Sequence, residues 1–245
     1  YQLAAIAAVV DVFDGQPPDA QQWANKLAGQ LQANLPSPAD ELALDIAQEI
    51  GAIGNHLVLE PASILANVQA VQERNLLETS ASLGEGALEL DIEMETGTGK
   101  TYVYLRTALE LAKRYHFNKF LVVVPRKAIK EGVMASIRAM QAHFTQQYGP
   151  FEFFLYDGGS PEQVRSFATS TLPQIGVVSI DAMKREGNVM FNAHDKLLGL
   201  APLEYLKATR PIVIVDEPQL MESDLSLSAI DDLHPTCVLR YSATH

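Results

Sequence analysis

Residues Glu93–Thr101 read Glu-Met-Glu-Thr-Gly-Thr-Gly-Lys-Thr. The apolar residues at Leu88–Ile92 before this stretch predict a strand, and Tyr102–Tyr115 after it predicts a helix. A glycine-rich turn between a strand and a helix, closed by Lys100-Thr101, is a cradle for phosphate. Gly97 and Gly99 allow positive φ and close backbone approach to an anion. The first N–H groups of the helix then point at that anion. The candidate nucleotide-binding loop is therefore Glu95, Thr96, Gly97, Thr98, Gly99, Lys100 and Thr101. Lys100 would reach the β- and γ-phosphates as a point charge, and the Thr101 hydroxyl would ligate Mg²⁺. One position departs from the pattern G-x-x-x-x-G-K-[ST]: its opening glycine is Met94 here.

From Leu88 onward, short apolar runs alternate with helical patterns. Strands are expected at Leu88–Met94, Lys119–Val124, Phe151–Tyr156, Gln174–Ile180, Pro211–Val215 and Thr236–Tyr241. The Val/Ile-rich runs suit strands buried on both faces. Between two of them, Lys127–Gln147 places Ile129, Val133, Ile137 and Met140 on one helical face. This alternation predicts an α/β fold, a parallel sheet with helices on both faces. Ligands of such sheets bind at the carboxyl ends of the strands, where the glycine loop falls. The aromatics Phe151, Phe153, Phe154 and Tyr156 alternate poorly and are expected in the core.

Upstream, Gln2–Phe13 carries Leu3, Ile6, Val10 and Phe13 on one helical face. Residues 16–86 then read as a mostly helical insertion. Trp23, Leu27 and Leu31 recur every four residues. Ser37-Pro38-Ala39-Asp40 starts a helix that continues through Leu42, Ile46 and Ile50, and a third helix begins near Pro61 with Ile64, Val68 and Val71.

A second motif completes the first. The apolar run Ile212–Val215 leads into Asp216-Glu217-Pro218-Gln219. An acid at the tip of a buried strand holds Mg²⁺, and a second acid beside it orients or deprotonates a water. Lys100, Asp216 and Glu217 are the candidate catalytic residues, and Thr101 and Asp216 the candidate metal ligands. Together they form half of an ATP·Mg²⁺ hydrolysis site.

The chain has 245 residues and a net charge of -12, which argues against non-specific coating of nucleic acid but leaves room for a local basic track. No stretch reaches the ~18 apolar residues of a membrane span, and no signal peptide is read at the start. The single cysteine, Cys237, fits a reducing cytoplasm and a buried place on a strand.

Gly-Thr-Gly-Lys-Thr, Asp-Glu-x-x and the later Ser242–Thr244 occur in the order seen in superfamily 2 helicases. In detail, Met94–Thr101, Asp-Glu-Pro-Gln at Asp216–Gln219, and Tyr-Ser-Ala-Thr-His at Tyr241–His245 resemble the Res subunit of type III restriction-modification enzymes. Val124–Val133 resembles that family's motif Ia, and Asn67–Asn75 a stretch upstream of its phosphate loop. Met94 fits the family, which commonly has methionine there.

The resemblance implies a RecA-like three-layer domain of the P-loop NTPase class, the first of two motor domains. Gln2, in Tyr-Gln-x-x-Ala-Ile, is similar to an adenine-reading glutamine. Arg126, Lys127 and Lys130 would contact the DNA backbone, with Ser179–Met183 a further contact region. Gln219, Ser242 and Thr244 would couple nucleotide state to movement. Implied partners are duplex DNA, a second RecA-like domain and a nuclease domain of a longer protein, and a methyltransferase subunit. The residues leave two alternatives open: an RNA-remodelling helicase of the same superfamily, and a nucleotide-dependent scaffold without chemistry.

Overall fold

The structure, a computed structural model, describes residues 1–18, 46–84, 86–184 and 188–243, with the backbone alone at Lys127 and Ala128. Trp23, Leu27, Leu31, the helix start at Ser37–Asp40, Leu42 and Thr244 lie outside the described residues. In chain order the elements are α1 (Gln2–Val10), α2 (Pro61–Arg74), β1 (Leu88–Met94), α3 (Lys100–Tyr115), β2 (Lys119–Val124), α4 (Lys127–Tyr148), β3 (Glu152–Leu155), α5 (Pro161–Thr169), β4 (Gln174–Ser179), α6 (Ile180–Met183), α7 (Pro202–Ala208), β5 (Ile212–Asp216), α8 (Asp224–Asp231) and β6 (Cys237–Ala243). Residues 46–50 are also helical.

The six strands form one all-parallel sheet in the order β1-β6-β5-β2-β4-β3. This is the parallel α/β architecture that the alternation predicts, and it is consistent with the RecA-like P-loop class that the resemblance implies. Side chains on successive strand residues go to opposite faces. On β2, Phe120, Val122 and Val124 join a core with α1, α2, α3 and α4. Leu121 and Val123 join a second core with α5, α7 and α8. Every residue of β2, β4 and β5 is buried, so helices must cover both faces. Strand β6 enters the sheet between β1 and β5 although it is last in sequence. That placement sets the loops after β1 and β5 on either side of the tip of β6.

Residues 52–59 lie within the interval read as a helical insertion, and they run without helix across the amino end of the sheet. Asn55, 1% exposed, ties strands together there. Its Nδ2 donates to Lys119 O at 2.7 Å and Arg210 O at 3.3 Å, and its Oδ1 accepts from Asn118 N at 2.8 Å and Lys119 N at 3.1 Å. Ile53 N donates to Ala168 O at 2.8 Å, and Asn55 N to Thr209 O at 2.9 Å, so the segment also caps the ends of α5 and α7. Gly54 permits this approach, since a Cβ there would come within 3.0 Å of Thr209 O.

Lys119, at the start of β2, is fully buried, and its Nζ donates to Phe167 O and Ser170 O at 2.6 Å each. Burial pushes this amine down to about 8, partly opposed by the Glu152 carboxylate. As expected from their lack of alternation, Phe151, Phe154 and Tyr156 are buried, while Phe153 is partly buried against the core.

Replacing Asn55 with leucine strips partners from buried N–H and C=O groups of two strands. Urea unfolding is expected to show a loss of about 3 kcal/mol or more, and a change under about 1 kcal/mol would remove Asn55 from this role. For Lys119, the folded-state value lies below that of the unfolded chain. Between pH 8 and 10 the unfolded chain holds the proton more firmly, so stability rises with pH across that window. Relative to Lys119→Met, the parent chain should gain up to about 1.4 kcal/mol per pH unit over that range; parallel profiles would exclude the titration.

Candidate nucleotide-binding site

Strand β1 ends at Met94, which is fully buried in the core and opposite Ala243 of β6. The position where the strict motif has glycine thus serves here as an apolar anchor for the strand tip. The chain then leaves the sheet and turns through Gly97 (φ +79°) and Gly99 (φ +90°) into α3. The turn is closed from within. Thr98 N and Thr98 Oγ1 both donate to Glu95 O, at 3.3 Å and 2.6 Å. A Cβ on Gly97 would meet nothing within 4 Å, so that glycine is required only for its backbone angle. On Gly99 it would lie 2.7 Å from Gln2 Nε2, so that site needs both the angle and the space.

Gln2 opens α1, and α1 packs on α3. Its Nε2 donates to Thr98 O at 2.8 Å, fastening the carboxamide to the loop's own backbone. Tyr1, Gln2, Leu3, Glu95 and Thr98 line an open recess of ≈ 700 Å³ beside the loop.

Across the tip of β6, Asp216 ends β5 with 7% exposure. The next residue, Glu217, adopts a left-handed conformation (φ 59°), a costly choice for a residue with a Cβ. Its backbone N–H holds that turn by donating to Tyr241 O at 3.1 Å. The turn delivers the Glu217 carboxylate to Lys100: Nζ and Oε1 form an ion pair between side chains only 12% and 27% exposed. Gln219 Nε2 donates to the other oxygen, Oε2, at 2.6 Å.

Burial raises the Asp216 carboxyl to about 6. The neighbouring Glu217 charge pushes the same way, while Lys100 and the Tyr104 hydroxyl pull it down. Tyr104 OH lies 3.5 Å from Asp216 Oδ2. Burial, followed by the Asp216 charge, holds this phenol well above its ordinary range.

A helix N-terminus, one ammonium, the Thr101 hydroxyl and the Asp216 carboxylate thus converge at the carboxyl end of the sheet. Hard oxygen donors beside a phosphate cradle suit Mg²⁺, which takes few protein ligands and keeps phosphate and water as the others. A Cβ at Gly97 would meet nothing within 4 Å, so space is open beside the loop where a phosphate chain would lie.

The remaining expected residues divide. Arg126 is exposed at the start of α4, beyond the carboxyl tip of β2 and on the same edge as the phosphate loop. Lys130 is not on that surface. It is 5% exposed, and its Nζ donates to Tyr156 O at 2.7 Å, so its charge joins α4 to the end of β3. Arg126 differs because it is the extended residue preceding the helix (φ -144°, ψ 153°), whereas Lys130 lies within α4 on its buried side. Ser179, Ile180 and Met183 are likewise buried, the last two in the second core, with Asp181 exposed. The bond fastening the Asp216–Gln219 turn to β6 is the backbone one from Glu217 N to Tyr241 O, one residue before Ser242.

Sequence reading passed over Tyr104 and Tyr241. The available signal was helical spacing: Tyr104 lies four residues after Lys100 and three after Thr101, hence on their face of α3.

A family model described as type III restriction enzyme, res subunit, matches residues 65–245. The StyLTI type III restriction-modification Res subunit of Salmonella typhimurium is 36% identical over 177 residues, covering 63% of this chain and 18% of that protein. The EcoP15I Res subunit of Escherichia coli is 28% identical over 179 residues, with coverages of 63% and 18%. The EcoPI Res subunit of Escherichia phage P1 is 28% identical over 203 residues, with coverages of 73% and 21%. The chain thus spans about a fifth of the length of these curated relatives. Among solved structures, T. fusca Cas3-ADP aligns at 16% identity with a TM-score of 0.37, over 65% of this chain and 19% of that one. The family model covers well over half of the sequence, including the phosphate loop and the Asp-Glu turn, and the chain belongs to the type III restriction enzyme res-subunit family.

Proposed function

We propose that this chain is the ATP-binding motor domain of a type III restriction subunit. In the intact protein, its ATP hydrolysis would support movement or switching on duplex DNA and DNA cleavage. The observation that carries this reading is the Lys100–Glu217 ion pair. It joins the phosphate loop to the acid turn across 117 residues of sequence, at the strand tips where the fold binds ligands.

Bound ATP·Mg²⁺ supplies an activated phosphoryl group and the charge that stabilises its transfer. The rest is work for side chains of this chain. Lys100 exchanges a carboxylate partner for phosphate oxygens. Thr101 and Asp216 offer oxygen ligands to the cation. Glu217, released from Lys100, accepts a proton from water at Oε1, while Gln219 holds Oε2 and fixes the rotation of the carboxylate. Gln2 presents a carboxamide that matches the hydrogen-bonding edge of adenine. Arg126, exposed beside a helix N-terminus, suits a DNA phosphate. Lys127, next to it in sequence, remains a candidate for the same contact. By analogy with the Res subunits, a second motor domain, a nuclease domain and a methyltransferase subunit would complete the enzyme.

Lys100→Ala is expected to abolish measurable binding of a fluorescent ATP analogue with Mg²⁺; unchanged affinity would exclude this site. Glu217→Gln frees Lys100 from its carboxylate. Binding should therefore stay equal or tighten, while DNA-stimulated turnover of the full-length subunit falls by about 10² or more. Turnover equal to the parent would remove Glu217 as the base. Gly99→Ala would force Gln2 off Thr98 and weaken nucleotide binding; retention of full affinity would contradict the cradle geometry.

A further inference from the structure

Behind Asp216, on the side facing the core, stands a pair of tyrosines that the proposed chemistry does not use. Tyr104 of α3 and Tyr241 of β6 are both fully buried, with ring centroids 5.6 Å apart in an edge-on arrangement of 61°. Their hydroxyls go to different partners. Tyr241 OH lies 3.4 Å from Thr107 Oγ1, deeper in the core. Tyr104 OH lies 3.5 Å from Asp216 Oδ2.

A phenol hydroxyl has one proton to donate and lone pairs with which to accept. Donation to Asp216 Oδ2 uses that proton. Burying a hydroxyl is costly unless it is bonded, and a phenylalanine would fill the same core volume without that demand. The hydroxyl is therefore the feature that needs an explanation, and its partner, Asp216, is a carboxylate assigned to the cation.

We propose that Tyr104 is a positioning residue: its hydroxyl fixes the rotation of the Asp216 carboxylate, so that it presents oxygen to a divalent cation. The inference rests on the nucleotide-site reading above. With Oδ2 bonded to Tyr104, Oδ1 is the oxygen turned to the ligand. Tyr241, one ring deeper, supports Tyr104 by packing alone.

The test uses this chain with Tyr104→Phe and, as a comparison for loss of a purely structural hydroxyl, Tyr241→Phe. Binding of a non-hydrolysable fluorescent ATP analogue is titrated with Mg²⁺ and again with EDTA, and thermal unfolding is followed for each variant. Tyr104→Phe should weaken binding about ten-fold in Mg²⁺, the size typical for partners of metal ligands, and leave binding in EDTA unchanged. It should also raise the Mg²⁺ concentration needed for half-maximal binding. Tyr241→Phe should alter neither titration. If the parent chain binds the analogue in a Mg²⁺-dependent manner and Tyr104→Phe behaves identically, the positioning role is overturned while the site reading survives. Equal weakening in Mg²⁺ and EDTA would also overturn it, because a packing defect would not distinguish the two. If the parent chain binds nothing in either condition, the site reading and this inference fall together.

Discussion

Three strands of the sheet, β2, β4 and β5, are buried along their whole length, and a parallel strand in that position has nowhere to place a charge except at its ends. The two ends meet this constraint differently. At the amino end, polar groups are used up inside the fold: Lys119 bonds two backbone carbonyls, and Asn55 bonds both its neighbouring strands. At the carboxyl end, the charged groups pair with one another through side chains that can exchange partners. Lys100 and Lys119 show the contrast. One is buried against carbonyls fixed in place, and the other rests on a carboxylate at the end of a flexible side chain.

The carboxyl end is also electrostatically uneven. Asp216 and Glu217 are adjacent acids facing one ammonium. The more buried acid is raised to about 6, and the less buried one takes the lysine. A phosphate chain carries more negative charge than a single carboxylate, so it would compete well for Lys100. The same exchange would release Glu217 at the moment a base is needed. β6 lies between the two loops, and Tyr241 O, one residue before Ser242, accepts from Glu217 N.

The strands were legible because continuous apolar runs bounded by polar residues leave few alternatives. β1 and β2 fall at the expected residues, and the others within two residues at each end. The paired acids and the glycine loop were legible because both carry a mechanism. Lys130 was not. Three cations at the start of a helix look alike in sequence, but Arg126 is an extended residue before the helix, while Lys130 sits within it on the buried side, bonded to a carbonyl at the end of β3. Asn55 was hidden within an interval that reads as helical, since side-chain bonds to distant backbone leave no periodic trace. Met94 was legible as a departure from the motif, and its reason became visible only as a fully buried contact with the core.

By itself, the sequence determined the parallel α/β architecture, the phosphate cradle and the presence of an acid pair at a strand tip. Each follows from local chemistry: apolar periodicity, glycine's access to positive φ, and the cost of burying a carboxylate before a strand ends. Tertiary structure alone decided that β6 inserts between β1 and β5, that Gln2 reaches Thr98 across 96 residues, and that Tyr104 stands behind Asp216. These are long-range pairings, set by which surfaces pack together, and no spacing along one segment encodes them.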